Sequence, residues 1–200
     1  MHVRVTLIDG VKDIDRAVGV LRDDVLPAVK GLGGFKGITA SADRVAGVVG
    51  ILSIWESEAD EKASAGQITQ VRDNAVKAIG GTLREVRTYE QAVDETSARP
   101  EPGSPLLITP TKMDPAKVDE NLEFFKANVL PDIKSTPGFR AVRYLVDRKA
   151  GEGMVGVVLA DEASVKESEA RAEKRRSLAK QQGVELGQRS RREVIFVGLG

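Results

Sequence analysis

The sequence predicts an α+β chain of two tandem units, each running strand, helix, strand, strand, helix, strand. Three observations carry that prediction: an internal repeat, a switch of hydrophobic period inside each copy, and a proline-rich stretch between the copies. Val25, Leu26, Pro27, Lys30, Gly34, Phe35, Asp43, Arg44, Ala46, Gly47, Glu58 and Ala59 recur as Val129, Leu130, Pro131, Lys134, Gly138, Phe139, Asp147, Arg148, Ala150, Gly151, Glu162 and Ala163, all at an offset of 104 without a gap. Unrelated sequences of ordinary composition agree at roughly one position in fifteen. The run is therefore a duplication, and its period is that of a small domain rather than of a solenoid repeat.

The elements follow in order. Residues 2–8 (HVRVTLI) alternate and are rich in β-branched residues, which predicts a strand. Ile14, Val18, Leu21, Val25 and Val29 then fall at spacings of three and four, the stripe of an amphipathic helix. Pro27 lies inside that stripe and is expected to kink or end it. The second copy repeats the stripe with Val118, Leu122, Phe125, Val129 and Ile133, opened by Asp114 as a cap and Pro115 at the first helical position. Two apolar runs flank Asp43-Arg44-Val45-Ala46-Gly47, and two more flank Asp147 to Gly153, each pair predicting a β-hairpin. Ser57 to Asp60 reads as a helix start, Ala63, Val71, Ala75 and Ile79 as its buried stripe, and Gly80-Gly81 as its stop, with Gly183 in the same role later. Last strands are expected around Glu85–Ala92 and Glu193–Val197. Each copy is thus a ferredoxin-like split βαβ unit. The boundaries are 1–93 for the first, 106–200 for the second, and a linker over 94–105, where three prolines, a glycine and small polar residues sit.

Composition bounds the function. Hydrophobic content of 41% with 30% charged residues describes a folded chain, and 30 basic against 30 acidic side chains give no electrostatic reason to expect nucleic acid or an anionic membrane. Cysteine is absent and His2 is the single histidine, which removes thiolate chemistry and disfavours a metal site. No secretory pattern opens the chain and no apolar run has the length to span a bilayer, so a cytoplasmic location is the expectation. The basic segment Lys166 to Arg192 carries Glu167, Glu169 and Glu173 at helical spacing and no aromatics, which reads as a solvated face. Asp43-Arg44 and Asp147-Arg148 read as turn residues.

The βαββαβ order, the Gly-Phe opening each hairpin, Trp55-Glu56-Ser57-Glu58-Ala59 and Arg87 to Val93 resemble the antibiotic biosynthesis monooxygenase family of the dimeric α+β barrel superfamily. There, two chains pair their sheets into a barrel. The resemblance implies that two halves of one chain pair here as an intramolecular pseudo-dimer, with a homodimer of the whole chain as a further option. It also implies cofactor-independent oxygenation of an aromatic or quinone-like small molecule, with no cofactor and no metal. The haem-degrading members use a first-strand asparagine and a histidine after the tryptophan. Here the first strand offers Arg4 and Thr6, and no histidine follows Trp55.

The candidate substrate-binding residues are Trp55 as a pocket wall, Arg4 and Thr6 as hydrogen-bond donors to a phenolate or carbonyl, and Tyr144 in the aromatic-rich second copy. Trp55 also fits a core aromatic, and Arg4 and Thr6 also fit ordinary sheet-face residues. Leu159 replaces Trp55 in the second copy, so any ligand cavity is expected to differ between the halves. Two functions remain open: a monooxygenase-like enzyme, and a non-catalytic small-molecule-binding or stress-associated protein that keeps the barrel.

Overall fold

A strand that buries one face needs a helical layer over it, and each repeat supplies one from its own amphipathic stripes. A computed structural model describes residues 1–200. In the first repeat, β1 (His2–Asp9) leads to α1 (Ile14–Val20) and α2 (Leu26–Lys30), then to β2 (Phe35–Asp43), β3 (Val48–Trp55), α3 (Glu58–Ile79) and β4 (Thr82–Thr96). The second repeat follows as β5 (Pro105–Lys112), α4 (Val118–Phe124), α5 (Leu130–Lys134), β6 (Phe139–Asp147), β7 (Glu152–Leu159), α6 (Glu162–Ala170), α7 (Ala172–Gln181), the short β8 (Glu185–Leu186) and β9 (Ser190–Leu199). The fold is α+β and ferredoxin-like, and every registered strand pair is antiparallel.

The chain forms two compact units. The first holds Met1–Glu90, Glu101–Gly103 and Arg192–Gly200, and the second holds Gln91–Pro100 and Ser104–Arg191. In the first unit the strand order is β4-β1-β3-β2, extended by β9 on the edge of β2. In the second, β5, β7 and β6 are neighbours, and the later residues of β4 lie beside β6. Residues 94–98 are accordingly tied down. β4 runs on to Thr96, and the amides of Ser97 and Ala98 both donate to the Arg140 carbonyl. Hydrogen bonding to β6, unreadable from local composition, carries the strand through a segment that looks like a linker.

Both proline-containing helices continue rather than break. A π turn spans Leu21–Val25 in the first repeat and Phe125–Val129 in the second. Proline lacks the N–H that would close a regular turn, and its ring crowds the carbonyl four residues back. Widening the turn by one residue relieves this, and the Leu26 and Leu130 amides donate to the Leu21 and Phe125 carbonyls instead. Ser57 and Asp161 cap α3 and α6, Asp114 caps the 3-10 turn Pro115–Lys117, and Gly80 ends α3 at φ 70°. The Asp43 and Asp147 carboxylates accept from two amides each inside their hairpin turns. One helix differs between repeats: α3 is continuous over 22 residues, whereas its counterpart breaks at Arg171 into α6 and α7. No helix is long and apolar enough to cross a membrane.

Candidate functional site

Trp55, Arg4 and Thr6 lie together in the first unit, on the face of the sheet that carries α3. His2 is registered opposite Trp55, Arg4 opposite Ser53, and Thr6 opposite Ile51. Trp55 is 0% exposed, stacks edge-on against Phe35 at 5.4 Å, and donates its indole N–H to Ser53 Oγ at 3.1 Å. Arg4, 6% exposed, forms an ion pair with Glu61, donates to the Glu61 carbonyl at 2.8 Å, and reaches Ser64 Oγ at 3.4 Å. Its guanidinium carbon lies 6.0 Å from the Trp55 ring. Thr6 is buried one alternate position further along. The space between sheet and α3 is thus filled by a paired arginine, and its charge is already neutralised.

Tyr144 belongs to the second unit, where the equivalent space is open. A pocket of about 750 Å³, solvent at its mouth included, lies there between sheet and helices. Strand register explains the opening. Ser53 and Val157 occupy equivalent repeat positions, and Leu107 faces Val157 as Arg4 faces Ser53. Leu107 therefore replaces Arg4, and by the same register Thr109 replaces Thr6 and Thr111 replaces Ile8. Three of the notable wall residues sit at an offset of 104 from small or apolar ones: Tyr144 from Ala40, Phe125 from Leu21, and Asn121 from Ala17. Tyr144, 3% exposed, donates its hydroxyl to Thr111 Oγ1 at 3.2 Å and packs edge-on against Phe125 at 4.9 Å. Burial pushes the Tyr144 phenol above its ordinary pKa, against a smaller opposing effect of Thr111, so it stays protonated at neutral pH.

The second unit has its own buried arginine, delivered from a helix rather than a strand. Arg175 on α7, 7% exposed, pairs with Asp132 at 2.7 Å and donates to Ser168 Oγ at 3.0 Å and Thr136 Oγ1 at 3.1 Å. Ser64 and Ser168 are equivalent residues, so each repeat offers the same serine to a different arginine. The basic segment that reads as a solvated face hides this inward-turned side chain. Burial opposes ionisation of Asp132, but Arg175 and Lys174 outweigh it and hold its carboxyl below the usual range.

Two further wall residues matter. Asn121, 5% exposed, has an amide nitrogen with no hydrogen-bond partner. Arg189, beyond β8, donates to Thr109 Oγ1 at 3.1 Å and pairs with no carboxylate. Burial, then Arg176 and Arg175, lower its pKa, with Glu169 opposing. Asn121 was legible as a polar residue on an apolar stripe, three after Val118 and four before Phe125. Arg189 carried no local signal. No three His, Asp or Glu side chains converge to hold a metal ion.

A protein of Mycobacterium tuberculosis, the uncharacterized protein Rv2557, is 32% identical over 155 residues, 77% of this chain and 69% of that protein. The chain belongs to its family. A second uncharacterized protein of that organism, Rv2558, is 28% identical over 151 residues, 75% of this chain and 64% of its own. No family model matches the chain. Among solved structures, an anthrone oxidase-like protein aligns with TM-score 0.68 at 17% identity, covering 100% of this chain and 94% of that one. A ferredoxin-fold protein of Listeria monocytogenes, related to antibiotic biosynthesis monooxygenases, aligns with TM-score 0.56 at 9% identity, covering 97% and 95%. The family of Rv2557 therefore shares the fold of the monooxygenase-like proteins that the sequence resembles.

Proposed function

We propose that this protein binds an aromatic or quinone-like small molecule in the pocket beneath Tyr144 and oxygenates it without a cofactor. The observation that carries the reading is the pocket itself: aromatic and aliphatic walls from Phe124, Phe125, Val155 and Val157 around a few convergent polar groups. Of the four residues expected from the sequence, Tyr144 is assigned to this pocket, and Thr109 takes the role foreseen for Thr6. Trp55 and Arg4 support the fold of the first unit.

The chemistry balances without a redox partner. A substrate carbon bearing hydrogen becomes a carbonyl, one atom of O₂ enters it, and the other leaves as water with two substrate hydrogens. The substrate supplies the electrons, so the protein needs only to hold the ring, exclude water and stabilise developing oxygen charge. In this reading Asn121 is the unpartnered donor, and Tyr144 becomes one when its hydroxyl turns away from Thr111. A second reading, binding without turnover, is favoured by one fact: the wall contains no carboxylate and no histidine to act as a base. Oxygen uptake and product formation with a panel of phenols, anthrones and quinols separate the two. Uptake that falls in Tyr144→Phe while the fold persists supports the enzyme; ligand binding without uptake supports the binding protein; no binding by any of them refutes both.

A further inference from the structure

We propose that the pocket takes its ligand as a pre-formed aromatic anion, with Arg189 as counterion and Asn121 as the second donor to the charged oxygen. The inference rests on the small-molecule reading above and adds the charge state of the ligand. Three observations point to it. The ionisable groups on the wall are Tyr144, Arg175 and Arg189, so the wall holds two cations and no anion. Arg175 is neutralised by Asp132, which leaves Arg189, whose one hydrogen bond goes to a neutral hydroxyl. A half-buried guanidinium without a carboxylate keeps its charge available to a negative group that enters the pocket.

Asn121 supplies an independent pointer. Its amide nitrogen is a buried donor without a protein partner on a residue that lines the same wall, and an acceptor seated against it would satisfy it. The first repeat has alanine at that position, so the helix does not require the amide. The absence of a base on the wall gives the chemical reason. A pocket that cannot remove a proton must receive a substrate that has already lost it, and a cation lowers the pKa of an ionising phenol or acid as it binds. The surrounding Leu107, Phe125 and Val157 fit an aromatic body behind the charged edge.

The test is calorimetric titration of the full chain with 2-naphthoate and with its neutral counterpart 2-naphthalenemethanol at neutral pH. The expected result is naphthoate binding about tenfold or more tighter, since hydrogen bonds to charged groups exceed neutral ones by that order. Arg189→Gln is expected to bring the two ligands to parity by weakening naphthoate alone. Asn121→Ala, which removes no charge, is expected to weaken naphthoate several-fold and gives a second readout if Arg189→Gln does not fold. Equal binding of both ligands by the unaltered chain overturns the anion inference and leaves the pocket reading standing. Tighter naphthoate binding that neither variant reduces places the anion elsewhere and also overturns it. Binding of neither ligand overturns the pocket reading, and the inference falls with it.

Discussion

Replacing Asn121 by alanine should make the ligand-free protein more stable. The side chain is 5% exposed on α4 and its amide nitrogen has no protein partner, so folding takes that donor out of bulk water without a protein acceptor in return. Such a group costs about 1–3 kcal/mol. Alanine also has the better helix propensity, by about 0.5 kcal/mol in a helix interior. The opposing loss of packing is small, because Asn121 borders open pocket rather than a closed core, and truncation there enlarges a space already present. The expected gain is therefore about 1–3 kcal/mol, and a protein of this size shifts its Tm by about 2–4 °C for each kcal/mol. The first repeat is a built-in control: Ala17 occupies the same helix position and is 1% exposed in a well-packed core. Melting curves and urea titrations of both proteins without ligand measure the difference. A lower Tm in ligand-free Asn121→Ala would refute the reasoning, since it would mean that the amide is satisfied in the folded protein.

Three other outcomes follow from the same geometry. Trp55→Ala should cost about 3–5 kcal/mol because a 0% exposed indole leaves a cavity, whereas Trp55→Phe should be mild; equal losses in the two melting curves would contradict this. Asp132→Asn should cost about 3–5 kcal/mol at neutral pH by leaving Arg175 buried and unpaired, as chemical denaturation would measure. Because the folded Asp132 pKa is depressed, its contribution is present above the unfolded value of about 4 and is lost as pH falls through the folded one, so the gap between parent and variant should close in acid. In the first unit, Arg4→Met should destabilise more than Arg4→Met combined with Glu61→Met, since the single change strands a buried carboxylate; a double-mutant cycle showing simple additivity would count against the buried pair.

The order of elements was legible because periodicity and caps are local. Ser57, Asp114 and Gly80 mark boundaries through bonds to their own neighbours, and the structure places those bonds as expected. Pro27 and Pro131 misled locally: the sequence shows a missing donor but not the π turn that absorbs it. The continuation of β4 to Thr96 depends on carbonyls more than forty residues away, beyond any window of composition. The candidate pocket was legible only in part. Tyr144 could be chosen because the second repeat gathers aromatics, but Trp55, the single tryptophan, drew attention to a space that Arg4 fills.

The two repeats show how one fold yields both a packed core and a pocket. A serine at the same helical position, Ser64 or Ser168, receives a buried arginine in each. In the first repeat the arginine comes from β1 and lies across the sheet, where it occupies the volume beside Trp55. In the second, the helix breaks at Arg171, and α7 delivers Arg175 to the same serine from the helical layer. The strand position is thereby released from carrying a charge and becomes Leu107, and the sheet face is left free for Thr109, Thr111 and Tyr144. Moving one buried cation from strand to helix keeps the polar anchor and opens the space beneath it. Duplication makes that change tolerable, because the first repeat keeps its hydrophobic core while the second opens a pocket.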